Sequence, residues 1–446
     1  MKDSQTLKKT LSATHLWAIG VGLVISGDYF GWNYGWGVAG TVGLLLATVI
    51  ISILYITFIF SFTELSTAIP SAGGPFSYSL RAFGVKGGLI AGYATLVEFL
   101  FAAPAISMAL GSYIHFLYPS CPAMAISIAS FLVFTGINLL GLKEAAWFSL
   151  VMTVLAIVEL LIFIVIAAPH FKMQTFLQNP LPFGLGGVFS ALPFAIWLFV
   201  CLEGIAMVAE EVKDGNKAIA RGYISALITL IILAFAVMIC VGGIAPWQEL
   251  DNLDYPLPES LGIILGRDSK ITRLFAGVGL FGLIASFHGI IISYSRQIFA
   301  LSRSGYLPKA LSWVSRKRKT PYVALFLGTA LGISALMFFD TGKLVILSTI
   351  GAVVVYIISM LSLFKLRKSE PDMNRPFRAP FYPYFPAIAL TLAAITLVSM
   401  VYGYPELSGI FLIGLVICFA VLLISKKMGN NSIGIEEAEN HHQHEL

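Results

Sequence analysis

Apolar residues run along this chain in about twelve long blocks, near 13–36, 41–68, 87–117, 122–141, 145–168, 188–209, 219–245, 272–300, 322–339, 343–364, 383–403 and 407–425. Short polar stretches separate them. A helix needs about 20 consecutive apolar residues to cross a bilayer, and backbone groups in lipid must be paired within their own segment. The pattern therefore predicts an all-α, multi-pass membrane protein of about 12 transmembrane helices, with polar ends at 1–12 and 429–446.

Composition strengthens this reading. Hydrophobic residues make up 58% of the chain, charged residues only 11%, and the mean hydropathy is +0.87. A soluble domain carries roughly 25% charged residues, so much of this surface is expected to face lipid. The remaining charge is asymmetric. Alternating the twelve runs across a membrane puts 23 of the 28 Lys and Arg residues on the side of the N-terminus and 5 on the other. The positive-inside rule then predicts that both termini are cytoplasmic. This bias accounts for the net charge of +5 without a nucleic-acid partner. The run Arg316-Lys317-Arg318-Lys319 reads as a loop at anionic headgroups. Cys121, Cys201, Cys240 and Cys418 are scattered singly, in no metal-binding or redox spacing. No small-residue cleavage site follows the first apolar run, so no cleaved signal peptide is expected. His441, His442 and His444 read as part of a disordered tail, with metal binding the lesser reading.

Two runs are interrupted in their middle. The first contains Ser26-Gly27-Asp28, with Gly31 and Gly35 beyond, and the sixth contains Cys201-Leu202-Glu203-Gly204. Paired interruptions at corresponding positions point to an inverted-repeat transporter with a midplane site. Close helix packing alone would also use glycines, but it does not explain an acid beside each set. The predicted division is a first repeat at 13–168, a second at 169–366, and two further helices at 367–428.

Several short stretches occur together and in order: Gly20-Val21-Gly22-Leu23-Val24-Ile25-Ser26-Gly27-Asp28, Glu64-Leu65, Pro70-Ser71-Ala72-Gly73-Gly74-Pro75-Phe76, Glu210-Glu211-Val212-Lys213, Ser295-Arg296-Gln297, Ser304-Gly305-Tyr306-Leu307-Pro308, Thr320-Pro321 and Arg375-Pro376-Phe377-Arg378-Ala379-Pro380. With them the chain resembles the amino acid–polyamine–organocation (APC) transporter superfamily over nearly its whole length. The resemblance implies a LeuT-type fold of two inverted five-helix repeats, with helices 1 and 6 interrupted. Within the superfamily, the stretch from Gly27 to Gly35 resembles the ethanolamine permease branch.

Ionisable groups inside apolar helices are costly and by default mark pathways or ligand sites. Asp28, Glu98, Glu159 and Glu203 are such groups, with His288 the one candidate counter-base and no Lys or Arg in mid-helix. A net negative interior suits a cation. In amino-acid-transporting relatives the position of Asp28 is usually glycine, and backbone N–H groups there hold the substrate carboxylate. A fixed carboxylate in that place would repel an amino acid and pair with an amine, although Asp28 could also simply cap the second half-helix. The resemblance ties Glu203 to gating or substrate binding. It puts Glu159 where some relatives carry a lysine standing in for a bound cation, which leaves proton binding, Na⁺ binding and a protonated core acid all open. Glu98 could hold the amine or bond a neighbouring helix. Tyr29, Phe30, Trp32, Trp197, Phe199, Phe287 and Tyr294 fall near the interruptions or on helix 8, where rings can sit over an ammonium. Trp197 lies six residues before Glu203, as does a gate tryptophan of relatives, so the resemblance implies a gating role for it.

The expected substrate site is Ser26, Gly27, Asp28, Tyr29, Glu98, Trp197, Cys201, Glu203 and Phe287, with Glu159, Trp197, Glu203 and His288 in coupling or gating. No nucleophile–base pair, metal cluster or phosphate loop argues for an enzyme. No GxxxxGK[ST] sequence argues for ATP-driven transport, and no filter-like repeat argues for a channel. The expectation is a secondary transporter in a bacterial-type inner membrane. It would import a small organic amine, ethanolamine first, with a cationic or neutral amino acid as the alternative cargo. No cofactor is expected, and the coupling ion is H⁺ or Na⁺.

Overall fold

The computed structural model describes residues 11–139, 145–213, 215–315, 318 and 320–427. Lys2, Lys8, Lys9, Lys143, most of the Arg316–Lys319 run and the histidines of the tail lie outside these residues.

Sixteen α-helices follow one another among the described residues: α1 (Ala13–Val24), α2 (Ser26–Tyr29), α3 (Tyr34–Ala68), α4 (Pro75–Leu117), α5 (Ala123–Leu139), α6 (Ala145–Ala167), α7 (Met173–Phe176), α8 (Gly184–Trp197), α9 (Asn216–Gly242), α10 (Pro256–Leu265), α11 (Lys270–Val278), α12 (Leu280–Arg303), α13 (Tyr322–Phe338), α14 (Thr341–Ser369), α15 (Tyr384–Gly403) and α16 (Pro405–Lys427). Among the described residues, nine helical stretches are long and apolar enough to cross a membrane, and shorter apolar helices lie at Ala123–Leu139, Pro256–Leu265 and Tyr322–Phe338. Over the described residues, each apolar run lies on one helix or on helical segments in line. The two longest helices are each two helices in line. α3 turns at Gly40 (φ 70°) and α4 at Gly84 (φ 65°), close to where the runs beginning at 41 and 87 start. Both positions require a left-handed backbone that residues with a Cβ rarely adopt.

The interior is built from the broken helices and their neighbours. α1 packs on α9, α6 and α12, α3 packs on α8, and α4 packs on α14 and α12. α15 and α16 pack against this bundle and present broad apolar surface, with Val398, Tyr402 and Ile413 more than half exposed. In water such a surface would drive aggregation; in a bilayer it is the lipid boundary.

The face rich in Lys and Arg is held by charge. Glu64, 1% exposed, accepts two hydrogen bonds from Arg367 at 2.8 and 2.6 Å, one from the Ala379 N–H at 2.7 Å, and pairs with Arg375 at 3.2 Å. Arg81 forks onto Glu370 at 3.0 and 2.6 Å. Glu210 accepts from the Ala72 N–H at 2.7 Å, and Arg296 pairs with Glu211 at 3.5 Å. The short polar stretches separated along the sequence thus meet in one layer that ties α3, α4 and α14 to the segment after the second break.

Candidate functional site

Helix 1 is interrupted at the stretch the sequence pattern predicts, with α1 ending at Val24 and a separate single turn, α2, over Ser26–Tyr29, and it is interrupted again just beyond. Ser26 to Tyr29 remain helical, and the Asp28 N–H bonds the Ile25 carbonyl at 3.0 Å. The chain leaves the helix at Phe30, which is extended (φ −163°, ψ 172°), and turns at Gly31 (φ 92°) before α3 begins at Tyr34. The physical reason is that the positive φ is demanded at Gly31; Gly27 serves a different purpose. A Cβ on Gly27 would lie 2.5 Å from the Trp197 carbonyl oxygen and 3.2 Å from the Leu198 Cα, so glycine permits backbone-to-backbone approach of the two broken helices. Asp28 therefore lies in the short α2 between the end of α1 and the turn at Gly31, and does not begin α3. Its carboxylate oxygens have no hydrogen-bond partner, which disposes of the capping role.

The second break follows α8. The helix stops at Trp197, Cys201 adopts a left-handed conformation (φ 72°), and a 3-10 helix runs over Leu202–Glu211. A non-glycine residue at that φ is held there by its surroundings. Here the hold is visible: the Cys201 N–H donates to Glu98 Oε1 at 3.1 Å. The two breaks also touch. The Trp197 indole Nε1 donates to the Phe30 carbonyl at 2.9 Å, and the two rings meet edge to face with centroids 5.6 Å apart. α12 spans the first break, since Ser286 Oγ accepts from the Ser26 N–H at 3.1 Å and donates to the Gly22 carbonyl at 2.6 Å.

The acids gather in two groups around these breaks. Glu98 and Glu203, both 0% exposed, are neighbours at the helix-6 break. Apart from each other, Glu98 Oε2 and both Glu203 oxygens lack a hydrogen-bond partner. Tyr55 and Tyr356, whose hydroxyls are 2.5 Å apart, lie close to both carboxyls. The second group is at the helix-1 break. The Tyr29 hydroxyl lies 2.8 Å from Glu159 Oε2 and 3.0 Å from the Ala156 carbonyl, and Tyr113 donates to the Tyr29 carbonyl at 3.3 Å. Asp28, 0% exposed, is adjacent in the chain. Among the described residues, no Lys, Arg or His pairs with any of these four acids. Burying an unpaired carboxylate costs several kcal/mol, so an ionised carboxylate at either site calls for a cation beside it. Asp28, Glu98 and Glu203 are thus fully buried, out of reach of solvent.

Other expected residues lie elsewhere. His288 Nδ1 is 3.3 Å from Asn138 Nδ2, and its ring packs on Phe134 and Phe148, away from the acids. Phe287 packs edge to face on Phe131 and Phe134. Tyr294 bonds Thr329 at 3.3 Å. Sequence reasoning missed Tyr55, Tyr113 and Tyr356, which are ordinary members of apolar helices until the fold brings them to the breaks, and it saw Asn33, in the turn before α3, only as part of the Gly27–Gly35 stretch.

Comparison with known proteins agrees with this architecture. The amino acid permease family profile matches residues 11–430. A branched-chain amino acid permease of Bacillus subtilis (strain 168) is 27% identical over 445 residues, covering 93% of each chain. A methylthioribose transporter of the same organism is 27% identical over 415 residues, covering 86% of this chain and 87% of its own. The vacuolar cationic amino acid transporter 2 of Arabidopsis thaliana is 25% identical over 399 residues, covering 82% of this chain and 61% of its own. The described helices, the paired breaks and the match over nearly all of the sequence lead to one assignment: the chain belongs to the amino acid permease family of the APC superfamily, and is a secondary transporter and not an enzyme.

Proposed function

We propose that this transporter imports a small organic amine by alternating access, with ethanolamine as the best single candidate, and that Asp28 binds the ammonium group. The observation that carries this reading is the Asp28 carboxylate, fully buried with neither oxygen bonded. It sits just beyond the C-terminal end of α1, where the macrodipole is negative and cations are favoured. A substrate ammonium would satisfy both the carboxylate and the dipole, whereas a substrate carboxylate would meet repulsion from both. Ser26, Gly27, Tyr29 and Trp197 frame this position, and Glu98, Cys201 and Glu203 form the helix-6 side. In this reading 13–168 and 169–366 are LeuT-type inverted repeats, transport is symport with H⁺ or Na⁺, and Glu159 takes part in the coupling. The Lys/Arg-rich face is cytoplasmic, in a bacterial-type inner membrane; rapid labelling of a cysteine replacing Trp313 from outside intact cells would contradict that orientation.

A second reading has support from the relatives. Their names include branched-chain and cationic amino acid carriers, so a neutral or cationic amino acid is the rival cargo. A thermal-shift and uptake panel of ethanolamine, choline, ethylamine, putrescine, alanine and arginine separates the two. The amine reading expects stabilisation by ethanolamine or ethylamine and none by alanine. Stabilisation by alanine or arginine alone would replace it with the amino acid reading.

A further inference from the structure

On the face opposite the basic layer, the chain between α9 and α10 crosses above the helix-1 break. Asn33 meets it there. The Asn33 side chain is 0% exposed, its Nδ2 donates to the Leu250 carbonyl at 2.7 Å and to the Leu253 carbonyl at 2.9 Å, and its Oδ1 accepts from the Gly31 N–H at 3.0 Å. Only the amide nitrogen can meet two carbonyls, so the partners fix the orientation of the group and use both of its donors.

Asn33 stands at the N-cap of α3, and asparagine in that place ordinarily accepts from the N–H groups of its own first turn. Here it makes no such cap bond. Its acceptor turns back to the positive-φ glycine of the break, and its donors turn up to the crossing loop. The next residue repeats the connection, since the Tyr34 hydroxyl donates to Asp254 Oδ1 at 2.6 Å. Ser112 of α4 donates to the other Asp254 oxygen at 3.3 Å. The loop is braced from its far side by the Trp247 Nε1 bond to the Asn179 carbonyl at 3.1 Å.

We infer that Asn33 is a positioning residue that joins the helix-1 break to the loop over residues 245–255, so that closing this loop and forming the broken-helix site are a single step. One amide holds the backbone turn just beyond Asp28 and the loop above it. The loop cannot lift without removing the donor side of Asn33, and the turn cannot relax without pulling on the loop. This role holds whatever the cargo is, and so stands or falls apart from the amine reading.

Leu250 is 0% exposed, and a cysteine in its place reports loop opening. The test uses the full chain in detergent, with Cys121 and Cys418 replaced by alanine, and measures the rate at which Leu250→Cys reacts with a hydrophilic maleimide. A second reporter, Ala209→Cys, is buried near the basic layer. Asn33→Asp keeps the acceptor for Gly31 and sets an oxygen against the two loop carbonyls. The expected result is labelling of Leu250→Cys faster by about tenfold or more, from the loss of two hydrogen bonds, with Ala209→Cys labelled at its original rate. Unchanged labelling of Leu250→Cys, or acceleration of both reporters together, would overturn the inference. Should Asn33→Asp not fold, Tyr34→Phe removes only the hydroxyl bond to Asp254, and the same selective acceleration is expected of it.

Discussion

The Trp197 indole donates a hydrogen bond to the Phe30 carbonyl across 167 positions of sequence, at 2.9 Å. The unwound carbonyl of helix 1 is thereby satisfied by the last residue before the break in helix 6. Neither interruption is a local defect, since the helix-6 side supplies the partner that the unwound helix-1 carbonyl lacks.

Replacing this indole should weaken the junction without emptying it. Trp197→Phe keeps an aromatic ring against Phe30 and removes the donor, leaving a buried carbonyl unpaired at a cost of about 1–3 kcal/mol. Substrate affinity is expected to fall roughly fivefold to a hundredfold, with the purified protein still monodisperse. Wild-type affinity in the binding assay would reduce Trp197 to packing. Gly27→Ala should be more severe, because its methyl would meet the Trp197 backbone itself.

A separate expectation concerns the basic face. Glu64→Gln keeps shape but removes the charge facing Arg367 and Arg375, and the Arg375 side chain is only 5% exposed. Breaking a buried pair from one side costs about 3–5 kcal/mol. The melting temperature should drop by several degrees, while substrate affinity in the folded fraction stays near wild type. An unchanged melting temperature would show that this network does not hold the layer.

The Glu159 carboxyl tests coupling. The Tyr29 hydroxyl has a single proton and two acceptors in reach, Glu159 Oε2 and the Ala156 carbonyl. Glu159→Gln can serve that hydroxyl as either donor or acceptor but cannot exchange a proton or hold Na⁺ by charge. Uptake in proteoliposomes should lose part of its dependence on pH or Na⁺. Identical ion dependence in mutant and wild type would remove Glu159 from the coupling.

Much of this architecture was legible in the sequence, for definite reasons. Lipid forces apolar runs into helices, so the runs at 219–245 and 343–364 announce α9 and α14 directly. Glycines with acids in mid-run announced both breaks. Their placement was less accessible: Ser26, Gly27 and Gly31 look alike on paper, but one takes a positive φ and another a close backbone approach. Contacts over long separations were not legible at all. Glu98 and Cys201 are 103 positions apart, and nothing around Glu98 says that it steadies a strained residue on another helix. Tyr55 and Tyr356 are 301 apart and become notable only where their hydroxyls meet beside the Glu98–Glu203 pair. His288, conspicuous as a lone intramembrane histidine, proved to bond Asn138.

The central claim rests on the charge of Asp28, and one substitution addresses it. Asp28→Asn retains the shape of a side chain whose oxygens make no hydrogen bond in the protein, so the fold should tolerate it. A charge-assisted bond to an ammonium contributes roughly 1.5–3 kcal/mol, which corresponds to about ten- to a hundredfold in affinity. The deciding measurement is the ethanolamine dissociation constant of purified wild-type and Asp28→Asn protein, taken with their melting temperatures. The account predicts a rise in that constant by about this factor with little change in melting temperature; ethanolamine binding undiminished in Asp28→Asn, or absent from the wild type, would contradict it.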